Sequence, residues 1–173
     1  QTNVVPVYQS GPNPATPGGF VAWIQAGTGR IDVTRSYLGA ITGDQGNGQY
    51  VSAAAAARFN AHEVQHVNST SGLYNTHIAP LLLRVTAHHP GGTTVPGATA
   101  AAAIALLQTT INWATDVAAF QTNDTAANRS SPLGAVDTAD LASGTYPENR
   151  GPGTIATKAY TNRVAVPGEV LPT

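Results

Sequence analysis

One segment, from Ser52 to about Ala87, constrains the fold of this chain most. It reads as one helix of about ten turns, with a helical apolar period past residue 66. Five alanines, Ala53–Ala57, open it, and Ser52 is placed to cap it. Val67, Ser71, Tyr74, Ile78, Leu81 and Val85 then follow at spacings of three and four, with Gly72 and Pro80 as points of kinking. His88-His89-Pro90-Gly91-Gly92 ends the run. A second helix is expected over 98–121, marked by Ile104, Leu107, Ile111, Val117 and Phe120. The short loop between them predicts an antiparallel pair.

The remainder reads as strands and loops. Residues 1–19 form an irregular arm, because Pro6, Pro12, Pro14, Pro17 and Gly18-Gly19 break regular structure. FVAWIQA at 20–26 and the alternating RIDVTRSYL at 30–38 predict a hairpin about Gly27-Thr28-Gly29. GDQGNG at 43–48 is a loop and residues 49–51 a short third strand. Residues 124–173 form a loop-rich tail with a late strand over 154–166, placed to return to the sheet. The expectation is one α+β domain over 1–173: a small β-sheet on the long helix, a second antiparallel helix and an irregular tail. Trp23 and Trp113 belong to its core.

The long helix carries His62-Glu63-Val64-Gln65-His66. Histidines four apart project from one helical face, so both rings can reach a single ion. A glutamate beside the first can hold and deprotonate a water on that ion. With 5 histidines and three glutamates in 173 residues, chance produces this pattern in well under about one such chain in a hundred. The alternative is two surface histidines on an ordinary helix. The motif is HExxH, and it resembles the active-site helix of the zincin metallopeptidases. The resemblance covers these five residues and the coarse order of sheet, motif helix and second helix. It implies a zinc peptidase in which Glu63 is the general base.

A catalytic zinc takes three protein ligands and a water. His62 and His66 supply two. For the third, the metzincin positions hold Ser69 and Gly72, no glutamate lies on a downstream helix, and no GTxxD string occurs. Antiparallel helices of equal rise set residue 62 opposite about residue 123, which favours Asp124. Asp116, on the same stripe, is an alternative. So is His77, if the chain breaks at Gly72, since a continuous helix separates it from His66 by about 16 Å. His88 and His89 are loop residues farther away. Each aspartate also has an ordinary reading, as a turn residue (Asp124) or a solvated helix face (Asp116). Asp137, Asp140 and Glu148 are candidates to orient a ligand histidine through its other nitrogen. Tyr146 is a candidate oxyanion donor, with a partly buried structural tyrosine as the alternative.

Composition narrows the rest. The chain has no cysteine, so disulfides and thiolate ligands are excluded. A net charge of −1 with scattered arginines and one lysine argues against a nucleic-acid surface. No apolar run approaches the roughly 20 residues of a membrane span. Only 10% of residues are charged, with 18 Gly and 12 Pro, which suits a secreted or extracellular protein acting on a peptide or protein substrate. Asn68, Asn123 and Asn128 each begin an N-glycosylation triplet, a frequent accident in so Asn- and Thr-rich a chain. Two other functions remain open. One is a non-catalytic assembly subunit on a degenerate zincin scaffold, meeting partners through its N-terminal arm or C-terminal tail. The other is a structural metal site closed by four ligands, which has no use for Glu63.

Overall fold

The computed structural model describes residues 1–37, 39, 42–46, 49–51, 53–129, 133–143, 148–150, 153–155, 158–160 and 163–165. The chain begins with β1 (Thr2–Val4), β2 (Tyr8–Pro12), β3 (Phe20–Ile24), β4 (Arg30–Asp32), β5 (Gly43–Gly46) and β6 (Gln49–Val51). Next come α1 (Ala53–Leu73), a π-helical turn (Tyr74–Ile78) and α2 (Ala79–Ala87). They are followed by β7 (Val95–Gly97), α3 (Ala100–Ile111), α4 (Trp113–Asn128) and α5 (Ala135–Ser143). Four short strands close the order: β8 (Glu148–Arg150), β9 (Gly153–Ile155), β10 (Lys158–Tyr160) and β11 (Arg163–Ala165). Small antiparallel sheets and long helices make the fold α+β. No described helix is long and apolar enough to cross a membrane. Contacts divide the chain into two compact units, Gln1–Thr34 with Ser71–Asp124, and Arg35–Thr70 with Thr125–Thr173.

The first unit is built on the antiparallel sheet β2-β3-β7. The arm expected to be irregular supplies β2, paired with β3 from Tyr8↔Ile24 to Pro12↔Phe20, and β1, paired with β4. Its prolines and glycines serve the turn of that hairpin, where Asn13 N–H donates to Gly19 O and Gly19 N–H to Thr16 O. The hairpin expected between 20–26 and 30–38 is therefore absent, because β2 and β7 occupy both edges of β3. The sheet packs on α3, and Ala22, Ile24 and Ile31 bury against Ile78, Leu81, Val85, Leu107, Ile111 and Phe120. Glycine permits the closest approaches. A Cβ on Gly29 (φ 72°) would lie 2.6 Å from Val85 Cγ1, and one on Gly97 would lie 2.5 Å from Ala103 N. Trp113 joins this core, whereas Trp23 is half-buried and donates its indole N–H to Gln9 Oε1 at 3.1 Å.

Both helix expectations need adjustment. The long helix continues from residue 53 to 87, but its irregularity is a π-helical turn lying between Gly72 and Pro80, where Ala79 N–H reaches back five residues to Tyr74 O. The segment 98–121 is two helices. Thr99 caps α3 through Oγ1, 3.1 Å from Ala102 N, and Asn112 ends it in the left-handed conformation at φ 55°. Arg84 then takes the freed carbonyl of Ile111 through Nε and Nη2.

The second unit contains α1 as far as Thr70, the end of α4, α5 and three two-stranded pairs. The expected loop at 43–48 contributes β5, which pairs with β6. The single late strand becomes β9, β10 and β11; β9 pairs with β10, β8 with β11, and β10 and β11 lie against β6. Ser52, the expected cap of α1, lies outside the described residues.

Candidate metal centre

The alanines that open α1 have the highest helix propensity of any residue, and they carry the helix into the motif without a break. His62, His66 and Thr70 recur every four residues and form one buried stripe, 6%, 7% and 5% exposed. Facing them is α5, with Asp137 and Asp140 three apart and buried to 4% and 5% exposure. This helix folds back tightly on the end of α4. Gly134 N–H donates to Arg129 O at 2.8 Å, and a Cβ on Gly134 would meet Ala127 O at 2.4 Å.

Three atoms converge between the helices. His66 Nε2 lies 2.9 Å from Asp137 Oδ1, His62 Nε2 lies 3.2 Å from the same oxygen, and the two Nε2 atoms are 3.2 Å apart. Ligands held at about 2.0–2.2 Å around a tetrahedral zinc are about 3.3 Å apart, so this triangle has nearly the dimensions of one tetrahedral face. Each ring is oriented through its other nitrogen. His62 Nδ1 is 2.6 Å from Asp140 Oδ2, and His66 Nδ1 is 3.0 Å from Asn128 Oδ1. Asn128 Nδ2 donates to Thr70 Oγ1 at 3.3 Å, which turns its oxygen toward His66.

Those partners fix the tautomers. An Nδ1–H that donates to a carboxylate or amide oxygen leaves a lone pair on Nε2. Two lone pairs and a carboxylate oxygen then meet at one buried point, which is repulsive unless a proton or metal ion lies among them. The donor set of two imidazoles and a carboxylate, each imidazole backed by an oxygen acceptor, fits a divalent transition metal.

The structure brings together His62, His66, Asp137 and Asp140. Asp137 is the carboxylate that groups with the two histidines as a set that could hold a metal ion; Asp124 belongs to the first unit, near the end of α4. The antiparallel arithmetic took 98–121 as one helix, whereas it is two helices broken at Asn112, and a further helix, α5, occupies a stretch whose periodicity is too weak to read. Asp116 is in an ion pair with Arg84, and His77 Nε2 accepts from Asn123 Nδ2 at 3.1 Å within the first unit. His88 sits in the turn after α2, as expected, but it is buried, donating Nδ1–H to Arg84 O. Glu63 follows His62 on α1 and is half-buried. Glu148 lies in β8, and Tyr146, the candidate oxyanion donor, falls outside the described residues. Asn128 was read only as the start of a glycosylation triplet; its amide is engaged by His66 and Thr70. The signal for α5 was present in the paired acids of Gly134-Ala-Val-Asp-Thr-Ala-Asp140, one helical turn apart.

Compared with known proteins, the chain matches no family model, no curated relative and no solved structure.

Proposed function

We propose that the chain is a zinc-dependent peptidase of zincin type, with His62, His66 and Asp137 as the protein ligands. The observation that carries this reading is the triangle of His62 Nε2, His66 Nε2 and Asp137 Oδ1, with edges of 2.9–3.2 Å, its histidines on a helix that also bears Glu63. His62, His66 and Asp137 would hold the ion, and zinc bound there would supply a Lewis acid for the scissile carbonyl and a lowered pKa for the attacking water. Glu63 accepts that water's proton and delivers it to the leaving amine. Asp140 and Asn128 keep the two imidazoles aimed, so that neither ring must be reoriented as charge develops. Among the described residues three groups converge rather than four, which favours a centre with an open position over a closed structural site.

Two histidines and a carboxylate also serve non-haem iron. Glu63 favours hydrolysis, since oxygen chemistry at iron requires no base at that position. The sparse charge of the chain supports an extracellular setting.

The test is metal analysis joined to peptide cleavage. Wild-type protein loaded with zinc is expected to hold about one ion per chain, and Asp137→Ala to lose it as fully as His62→Ala. Glu63→Gln is expected to keep the ion and fold while cleaving a diverse peptide library at least about 10²-fold more slowly. A zinc-loaded wild type that cleaves nothing, or a Glu63→Gln protein at full rate, overturns the peptidase reading.

A further inference from the structure

The two histidines are held differently. His62 donates Nδ1–H to a carboxylate, Asp140, at 2.6 Å, whereas His66 donates to a neutral amide, Asn128, at 3.0 Å. A charged acceptor makes a bond roughly twice as strong as a neutral one and pushes electron density onto the ring it holds. An amide orients the ring without adding that charge. It also has two ends, and only its oxygen can accept from Nδ1–H.

Thr70 holds the other end of that amide. It lies one turn beyond His66 on α1, 5% exposed, and its Oγ1 accepts from Asn128 Nδ2 at 3.3 Å and from Arg35 Nη1 at 3.3 Å. A flipped Asn128 would set its NH2 against the Nδ1–H of His66 and its oxygen against a hydroxyl already receiving the Arg35 proton. The exchange at His66 sets two donors against each other in a buried place, whereas the Thr70 hydroxyl can turn to donate to either end.

We propose that Asn128 is a positioning residue for His66, steadied at its amide nitrogen by Thr70, and that it makes His66 the weaker of the two histidine ligands. The proposal rests on the metal reading above. Its content is the inequality: His62 anchors the ion, and His66 is held in line by a bond that can be strengthened by a single change of atom.

Zinc affinity by chelator competition, and the visible absorption of the cobalt(II)-loaded protein, test it on the full chain. Asn128→Ala is expected to weaken zinc binding by about 10–100-fold, and to alter the cobalt spectrum because one ring loses its aim. Thr70→Val, which leaves Asn128 in place but frees its amide to turn, is expected to weaken binding by a smaller factor with a spectral change of the same kind. Asn128→Asp keeps the shape and supplies a charged acceptor; it is expected to bind at least as tightly as wild type, so a fold defect in Asn128→Ala cannot imitate the pattern. Wild-type affinity and spectrum in Asn128→Ala overturn the positioning role while leaving the metal centre intact. Weaker binding by Asn128→Asp overturns the inequality. A wild type that binds neither zinc nor cobalt overturns the metal reading, and this inference with it.

Discussion

The two units bury opposite kinds of surface. In the first, the buried cluster is apolar: Ile24, Ile31, Ile78, Leu81, Leu107 and Ile111 are at most 2% exposed, on strands and helices that alternate or repeat correctly for one shared face. In the second, the buried side chains among the described residues are His62, His66, Thr70, Asp137 and Asp140, with Ala56. Apolar packing is non-directional and persists whatever the solution contains. A buried polar cluster stabilises only when each lone pair and proton has a partner, and is costly otherwise. The burial of the first unit is therefore indifferent to any ion, whereas on the proposed reading the second depends on what its centre binds.

The dependence on the ion is the largest effect expected. A ligand present at about a thousand times its dissociation constant stabilises the state it binds by about 4 kcal/mol. Stripping zinc with a chelator is thus expected to speed amide exchange across 135–143 and 58–70, while 101–111 exchanges as before. The helix α5 should respond first. It is nine residues long, too short to persist alone, and its two buried acids bond to the histidines. Equal acceleration in both units would break the comparison.

The converse perturbation belongs to the apolar core. Leu107 is 0% exposed between β3 and the helices, and truncating such a leucine typically costs about 2–5 kcal/mol, including the cavity left behind. Leu107→Ala is expected to lower the thermal midpoint while zinc stoichiometry stays that of wild type. Loss of zinc in step with stability would mean that the two cores melt as one.

The same contrast explains how much was legible in the sequence. Apolar periodicity announced α1 through α2, β3 and the course of α3 and α4, because burial on one face imposes a period that can be read along the chain. The i, i+4 histidines were legible from the HExxH motif, whose spacing is itself helical. The break at Asn112 was hidden, since one left-handed residue interrupts a helix without disturbing the apolar spacing around it. The carboxylate proposed as third ligand was hidden more deeply. α5 buries two carboxylates, which weakens the hydrophobic signal that marks a helix, and Asp137 read only as a partner to orient a ligand histidine. Asp140 was likewise expected as a partner for a ligand histidine, and it fills that role for His62. Asn128 gave no such sign: an amide that holds a ring is indistinguishable in sequence from any polar residue at a helix end.

The smallest expected effect tests whether the polar centre is set by its own side chains alone or also by the turn that delivers α5. Gly134 has no unusual φ; what it offers is space. A Cβ there would sit 2.4 Å from Ala127 O and 2.7 Å from Ala127 C, both backbone atoms that cannot rotate away. Gly134→Ala must therefore shift α5 relative to the last turn of α4, the turn that also carries Asn128. Inserting a methyl into a tight contact typically costs about 1–3 kcal/mol. The movement bears on Asp137 and Asp140 together, because they lie on one rigid turn starting three residues later. Zinc affinity is expected to fall by about tenfold, with the stability loss confined to exchange within 125–143. Gly134→Ser, which adds the same Cβ, should behave alike, whereas Gly72→Ala, at a helical position with nothing within 4 Å of its Cβ, should leave zinc binding unchanged. Unaltered zinc affinity in Gly134→Ala would show that α5 finds its place from the histidine–aspartate bonds alone, and that the glycine merely fills a gap.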